Sequence, residues 1–190
     1  MFEDLPKSSP EWLSTVLADF DAFLLDHAAC ERKASAMAMT FVLRYPDRTE
    51  IHDSMIQLAR EELTHFHRVF RICQERGLRF TKDSKDPYVN ALLKRTRNGR
   101  DEEFLDRLVF AGVVEARGHE RFGCIAEALP AGELKEFYDE ITRSEARHAE
   151  IFVELAQCYF DVSEVEERVA YFLEEEAALL PQLPLRAALH

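Results

Sequence analysis

The stretch "SEARHAEIF", residues 144–152, places Glu145 and His148 one helical turn apart on a stripe that is otherwise apolar, with Tyr138, Ile141, Phe152 and Leu155 on either side. Spacings of three and four put these residues on one face of a helix, the face that turns inward. A carboxylate buried there is strongly disfavoured unless a compensating charge meets it. The question is what supplies that charge.

The interruption recurs on three more stripes. Glu62 and His65 sit among Met55, Leu58, Val69 and Ile72. Glu31 follows Leu24 and His27 and precedes Ala34 and Ala38, and Glu115 lies between Leu108, Ala111, Gly118 and Phe122. Each stripe carries a Glu near its middle, and two carry Glu-x-x-His. A lone Glu-x-x-His is more often a surface contact between neighbouring turns, because motifs this short are weak. Two of them, each with a partner Glu on another stripe, point instead to a dinuclear metal site.

Spacing sharpens the expectation. Glu31 and Glu62 straddle the Pro46/Asp47 turn, and Glu115 and Glu145 straddle Pro130. In an antiparallel hairpin, residues equidistant from the turn lie at one height, here roughly 22 Å from it at a rise of about 1.5 Å per residue. Each pair should therefore face across its own hairpin, and all six groups could share one layer. Carboxylates with one imidazole per metal suit iron or manganese better than structural zinc, which favours thiolates. A Glu from each of two helices and Glu-x-x-His from the other two is the known donor pattern of ferritin-like di-iron and di-manganese proteins.

The rest of the chain reads as all-α. Apolar residues recur at helical spacing almost throughout, with six Gly and seven Pro in 190 residues and 47% hydrophobic content. A short helix is expected over 10–18 and a long one over 19–45, stopped by Pro46, with Asp47 and Glu50 starting the next. That second long helix should end at Gly77. A shorter helix runs from Asp86 as cap and Pro87 as first residue to Asn98 and Gly99. The third long helix spans Asp101 to Pro130 and the fourth about 132–159. "SEVE" from Ser163 has the form of a capping box for a last helix. The tail "PQLPLRAALH" reads as loosely held. The expected architecture is an antiparallel four-helix bundle with additional short helices, one domain over residues 1–190 with its core at about 17–160.

Composition bounds the function. No apolar run approaches the about 18 residues that read as a membrane span, and "MFEDLPKSSPEW" lacks the order of a signal peptide, so a cytoplasmic protein is expected. Cys30, Cys73, Cys124 and Cys158 are widely spaced and read as reduced thiols, mostly in the core. A net charge of −12 argues against a general nucleic-acid coat. Residues 79–100 differ: Arg79, Lys82, Lys85, Lys94, Arg95, Arg97 and Arg100 stand against Asp83 and Asp86 alone. "LLKRTRNGR" (92–100), with Lys94, Arg95, Arg97 and Arg100, is the best candidate to meet phosphates, against the alternative of a solvated helix end.

Four segments, "LLDHAACERKASAMA" (24–38), "LAREELTHFHRVFR" (58–71), "VVEARGHERF" (113–122) and "SEARHAEIF", resemble the ligand helices of the bacterial tRNA 2-methylthio-N6-isopentenyladenosine hydroxylases. The similarity covers about residues 17–160. It implies a ferritin-like fold and a non-haem di-iron centre that uses dioxygen to hydroxylate the isopentenyl group on the adenosine 3′ of the anticodon. The implied iron ligands are Glu31, Glu62, His65, Glu115, Glu145 and His148. The implied partners are the tRNA anticodon arm and an external electron donor of ferredoxin or reductase type. Gly118 and His119 depart from the family motif, which has Ser-Cys after Glu-Ala-Arg. His119, one turn after Glu115, is a candidate to act on the metal from behind its ligands. His27 reads as a hydrogen-bonded core histidine, and His52 and His67 as solvent-facing. Glu61, Glu120, Asp139 and Glu140 are candidates to orient the ligand histidines. The alternatives are another di-iron oxidoreductase of this fold, acting on a small molecule, peroxide or oxygen, or an iron-storage protein.

Overall fold

A computed structural model describes residues 1–83 and 85–190. Among them are seven α-helices and no strand: α1 Pro10–Ala18, α2 Phe20–Arg44, α3 His52–Glu75, α4 Pro87–Leu93, α5 Arg100–Ala128, α6 Glu133–Gln157 and α7 Val162–Leu179. No described helix is long and apolar enough to cross a membrane. The chain divides into two compact units, one built on Pro10–Ser84 with Leu185–Leu189, the other on Met1–Ser9 with Lys85–Pro184 and His190.

In the first unit, α2 and α3 form an antiparallel hairpin. Asp19 caps α2 by accepting from the Ala22 N–H, and the helix ends at Arg44, with Tyr45 as its C-cap directly before Pro46. Asp47 does not start α3. A single 3-10 turn, Thr49–Ile51, intervenes and continues into α3 without a side-chain cap. The far end behaves as expected: Gly77 takes φ +72°, its N–H donates to the Gln74 carbonyl, and the Leu78 N–H donates to that of Cys73. These two bonds satisfy carbonyls that the last helical turn leaves open.

In the second unit, α5 and α6 form the corresponding hairpin, and α4 and α7 pack on α5. Asp86 caps α4 through the N–H groups of Tyr88 and Val89. The helix ends at Leu93, short of the expected Asn98: the Arg95 and Thr96 N–H groups bond only three residues back, and the Arg97 N–H donates to Asp106. Gly99, at φ +112°, turns the chain into α5. Ser163 does not cap α7; Asp161 precedes it, with no side-chain capping bond. The C-terminal tail is also not loose. The Trp12 indole donates to the Ala188 carbonyl, the Leu189 N–H donates to Asp26, and His190 stacks on Tyr88 at 5.1 Å.

The cysteines are free, but only Cys73 is buried; Cys30 and Cys124 are half-buried and Cys158 is exposed. Burial, then the nearby Glu120 carboxylate, pushes the Cys124 thiol up to about 11.

Candidate metal centre

All six expected ligands are buried, from 0% exposure at His148 to 8% at Glu115. In the α2–α3 hairpin, Glu31, Glu62 and His65 each offer a donor atom within 4.8 Å of the others. His65 Nδ1 lies 3.5 Å from Glu62 Oε2 and 3.6 Å from Glu31 Oε2. The equal-height argument therefore holds: residues from two helices, on opposite sides of the Pro46 turn, meet at one level. His27, fully buried, donates from Nε2 to Glu31 Oε1 at 2.6 Å. That bond holds one oxygen of the carboxylate and leaves the other turned toward His65. His27 is thus more than a satisfied core residue; it orients a candidate ligand from one turn away.

The α5–α6 hairpin repeats the set. Glu115, Glu145 and His148 bring one donor each within 4.8 Å of one another, and His148 Nδ1 lies 3.2 Å from Glu145 Oε2. In both hairpins Nδ1 is the ring nitrogen facing the carboxylates. Each hairpin so presents a buried cluster of two carboxylates and one imidazole, a donor set suited to a divalent cation.

Other expectations are revised. His119 belongs to neither donor cluster; its Nδ1–H donates to the Thr142 carbonyl at 2.8 Å, tying α5 to α6 one turn from Glu115 and one turn from Glu145. Glu120 does not serve a ligand histidine. It accepts from the N–H and hydroxyl of Ser8 and from Arg117, contacts that hold its carboxyl below the usual range despite burial. Asp139 pairs with Lys135. His67 is exposed as expected, whereas His52 is half-buried and its Nε2 lies 3.2 Å from the Tyr45 carbonyl oxygen.

In the basic segment, Lys94 and Arg100 are exposed. Arg95 pairs with Glu175 at 2.6 Å, and Arg97 is clamped on Asp106 through its backbone N–H, Nε and Nη2. Among the expected phosphate contacts, Arg95 and Arg97 thus already face carboxylates of the chain itself.

Sequence reasoning missed a buried polar network behind α5. Arg117 and Glu176, both fully buried, pair at 2.7 Å, and the Tyr88 hydroxyl donates to the same Glu176 oxygen. Burial disfavours the Arg117 charge, but Glu176, with Tyr88 and Glu120, more than offsets it and raises the guanidinium's pKa. Arg121, buried beside Arg117, is held down to about 10. Nothing in an apolar stripe marks such residues, which come from α4, α5 and α7.

The model of the family described as tRNA-(MS[2]IO[6]A)-hydroxylase (MiaE) matches residues 5–190. The chain belongs to this family. It is 34% identical over 154 residues to the tRNA 2-(methylsulfanyl)-N(6)-isopentenyladenosine(37) hydroxylase of Pseudomonas putida, covering 81% of the chain and 75% of that protein. To the Salmonella typhimurium protein of the same name it is 32% identical over 180 residues, covering 92% of the chain and 66% of that protein. A solved structure from Synechococcus, described as protein 43 with aldehyde deformylating oxygenase activity, superposes with a TM-score of 0.90 at 31% identity. That superposition covers 95% of the chain and 90% of the Synechococcus protein. The MiaE-family chain is therefore all-α and ferritin-like, as expected.

Proposed function

We propose that this MiaE-family chain hydroxylates the isopentenyl group of 2-methylthio-N6-isopentenyladenosine beside the anticodon of tRNA, using dioxygen and two iron ions. The observation that carries this reading is the matched pair of buried Glu/Glu/His clusters, one per hairpin, in a chain of this family. The proposed iron ligands are Glu31, Glu62 and His65 on one hairpin and Glu115, Glu145 and His148 on the other. Four carboxylates balance two divalent cations, and the neutral imidazoles add donors without charge, so the compensation that buried acids demand is met.

When bound, the iron pair supplies two-electron reduction of dioxygen. The chain's own residues do the rest. The carboxylates and the two Nδ1 atoms hold the pair in place. His27 fixes which oxygen of Glu31 is presented, and the surrounding apolar stripes exclude water from the prenyl chain. Electron balance requires an external donor: one oxygen atom enters the C–H bond, the other leaves as water, and two electrons and two protons are consumed. The tRNA anticodon arm meets the basic turn, where Lys94 and Arg100 face its phosphates. The protein acts in the cytoplasm, where tRNA is modified.

A second reading rests on the Synechococcus structure: an aldehyde as substrate of the same iron pair. The test is an anaerobic Fe(II) titration followed by parallel incubations with reductant and oxygen. The expected result is two irons per chain, oxygen insertion into hypomodified tRNA, and no loss of formate from an aldehyde. Formate release with no change in tRNA transfers the function to the second reading.

A further inference from the structure

Asp106, on α5, is fully buried, yet it belongs to neither donor cluster. Its carboxylate receives the Arg97 backbone N–H at 2.7 Å, the Arg97 side chain through Nε and Nη2, and the Arg168 side chain through Nε at 2.8 Å and Nη2 at 2.9 Å. Arg168 comes from α7 and lies over the Tyr171 ring at 4.2 Å. One buried acid thus joins three pieces of chain: the turn after α4, the second turn of α5, and α7. Two guanidiniums on one carboxylate leave a surplus positive charge in the cluster. Charge-assisted bonds of this number and length hold geometry far better than neutral ones.

The turn so pinned, residues 94–99, is the one that carries the candidate phosphate contacts. Lys94 precedes the Arg97 anchor by three residues, and Arg100 follows it by three, just past the positive-φ Gly99. Without the anchor this stretch has few backbone bonds of its own: the Arg95 and Thr96 N–H groups reach only the Leu92 and Leu93 carbonyls. A free turn of this kind would have to order itself on binding, and that ordering is paid out of affinity.

We propose that Asp106 is a positioning residue for tRNA: by clamping Arg97 and Arg168 it pre-forms the basic turn that presents Lys94 and Arg100 to the anticodon-arm phosphates. The inference rests on the tRNA reading given above. Its consequence runs against simple electrostatics. Asp106→Asn makes the protein one unit more positive, which by charge alone tightens binding to a polyanion. Pre-organisation demands the opposite.

The experiment measures tRNA binding at one fixed salt concentration, iron content and the steady-state KM for tRNA, for wild type, Asp106→Asn and the double charge reversal Lys94→Glu with Arg100→Glu. Asp106→Asn is expected to weaken binding about tenfold and raise KM in proportion, with kcat at saturating tRNA changed less than twofold. Binding that is unchanged or tighter in the folded variant overturns the proposal. If Asp106→Asn does not fold, Arg168→Gln carries the test, because it keeps the bonds to Arg97 and cuts only the tie to α7. An approximately threefold loss is then expected, and no loss overturns the proposal. The double charge reversal reports on the reading beneath it. If it leaves tRNA binding intact, the basic turn is not the interface and both fall. If it weakens binding while the Asp106 and Arg168 variants do not, the positioning role alone is refuted.

Discussion

Glu176→Gln is the perturbation that the packing behind α5 makes most informative. Arg117 and Glu176 are both fully buried and paired at 2.7 Å, and Tyr88, also fully buried, donates to the same carboxylate. Neutralising Glu176 leaves a guanidinium in an apolar setting with Glu120, on the part-exposed side, as its remaining acid. Breaking one partner of a buried pair costs about 3–5 kcal/mol. For a chain of this size each kcal/mol moves Tm by about 2–4 °C, so a fall on the order of 10 °C is expected. Replacing both partners with apolar residues, Arg117→Met with Glu176→Leu, removes both desolvation costs and should recover most of that loss. The assay is thermal and urea unfolding with metal content held equal across variants, since a ligand bound only to the native state shifts Tm by itself. A loss under about 1 kcal/mol for Glu176→Gln, or a double variant as unstable as the sum of the singles, refutes the reasoning.

Three further outcomes follow from particular contacts. His27→Leu removes the bond that orients Glu31 and should weaken iron binding by about 10–100-fold in an Fe(II) titration while the helical signal is kept. Cys158 is exposed and Cys124 is raised to about 11, so a thiol reagent at pH 8 should label Cys158 quickly; Cys124 should react only as the pH nears its raised value, because a higher pKa leaves less thiolate. Burial holds His190 down to about 4 from 6.5, so between those values the unfolded chain takes up a proton that the native one refuses; stability should fall as pH drops from about 6.5 to about 4, and His190→Phe should flatten that slope in urea titrations.

What was legible in the sequence follows from periodicity. The four long helices and their stops at Pro46, Gly77 and Pro130 came from apolar spacing and from residues with one backbone preference. The candidate ligand set was readable because a Glu on an apolar stripe contradicts its surroundings, and two hairpins repeat the contradiction. What stayed hidden depends on contacts that apolar spacing does not mark. Arg97 looks like any exposed cation until Asp106 meets it from α5, and Asp106 itself sits in an acidic, ordinary-looking stretch. His27 shows its role only once its Nε2 is seen on Glu31. The tail read as loose because its proline-rich start hides two buried residues, Ala188 and Leu189. Asp47 and Ser163 had the right chemistry for caps but not the right backbone, since a 3-10 turn and Asp161 took those places.

The central claim, an iron pair that inserts oxygen into a prenylated tRNA base, is tested most directly by one measurement. Iron-loaded, reduced protein is given isotopically labelled dioxygen and tRNA bearing 2-methylthio-N6-isopentenyladenosine, and the nucleosides are then resolved by mass spectrometry. The account predicts one labelled oxygen atom on the isopentenyl group in the wild type and none in His148→Ala or Glu115→Ala. Unmodified nucleoside from the fully iron-loaded wild type, or label arriving equally in the ligand variants, contradicts it.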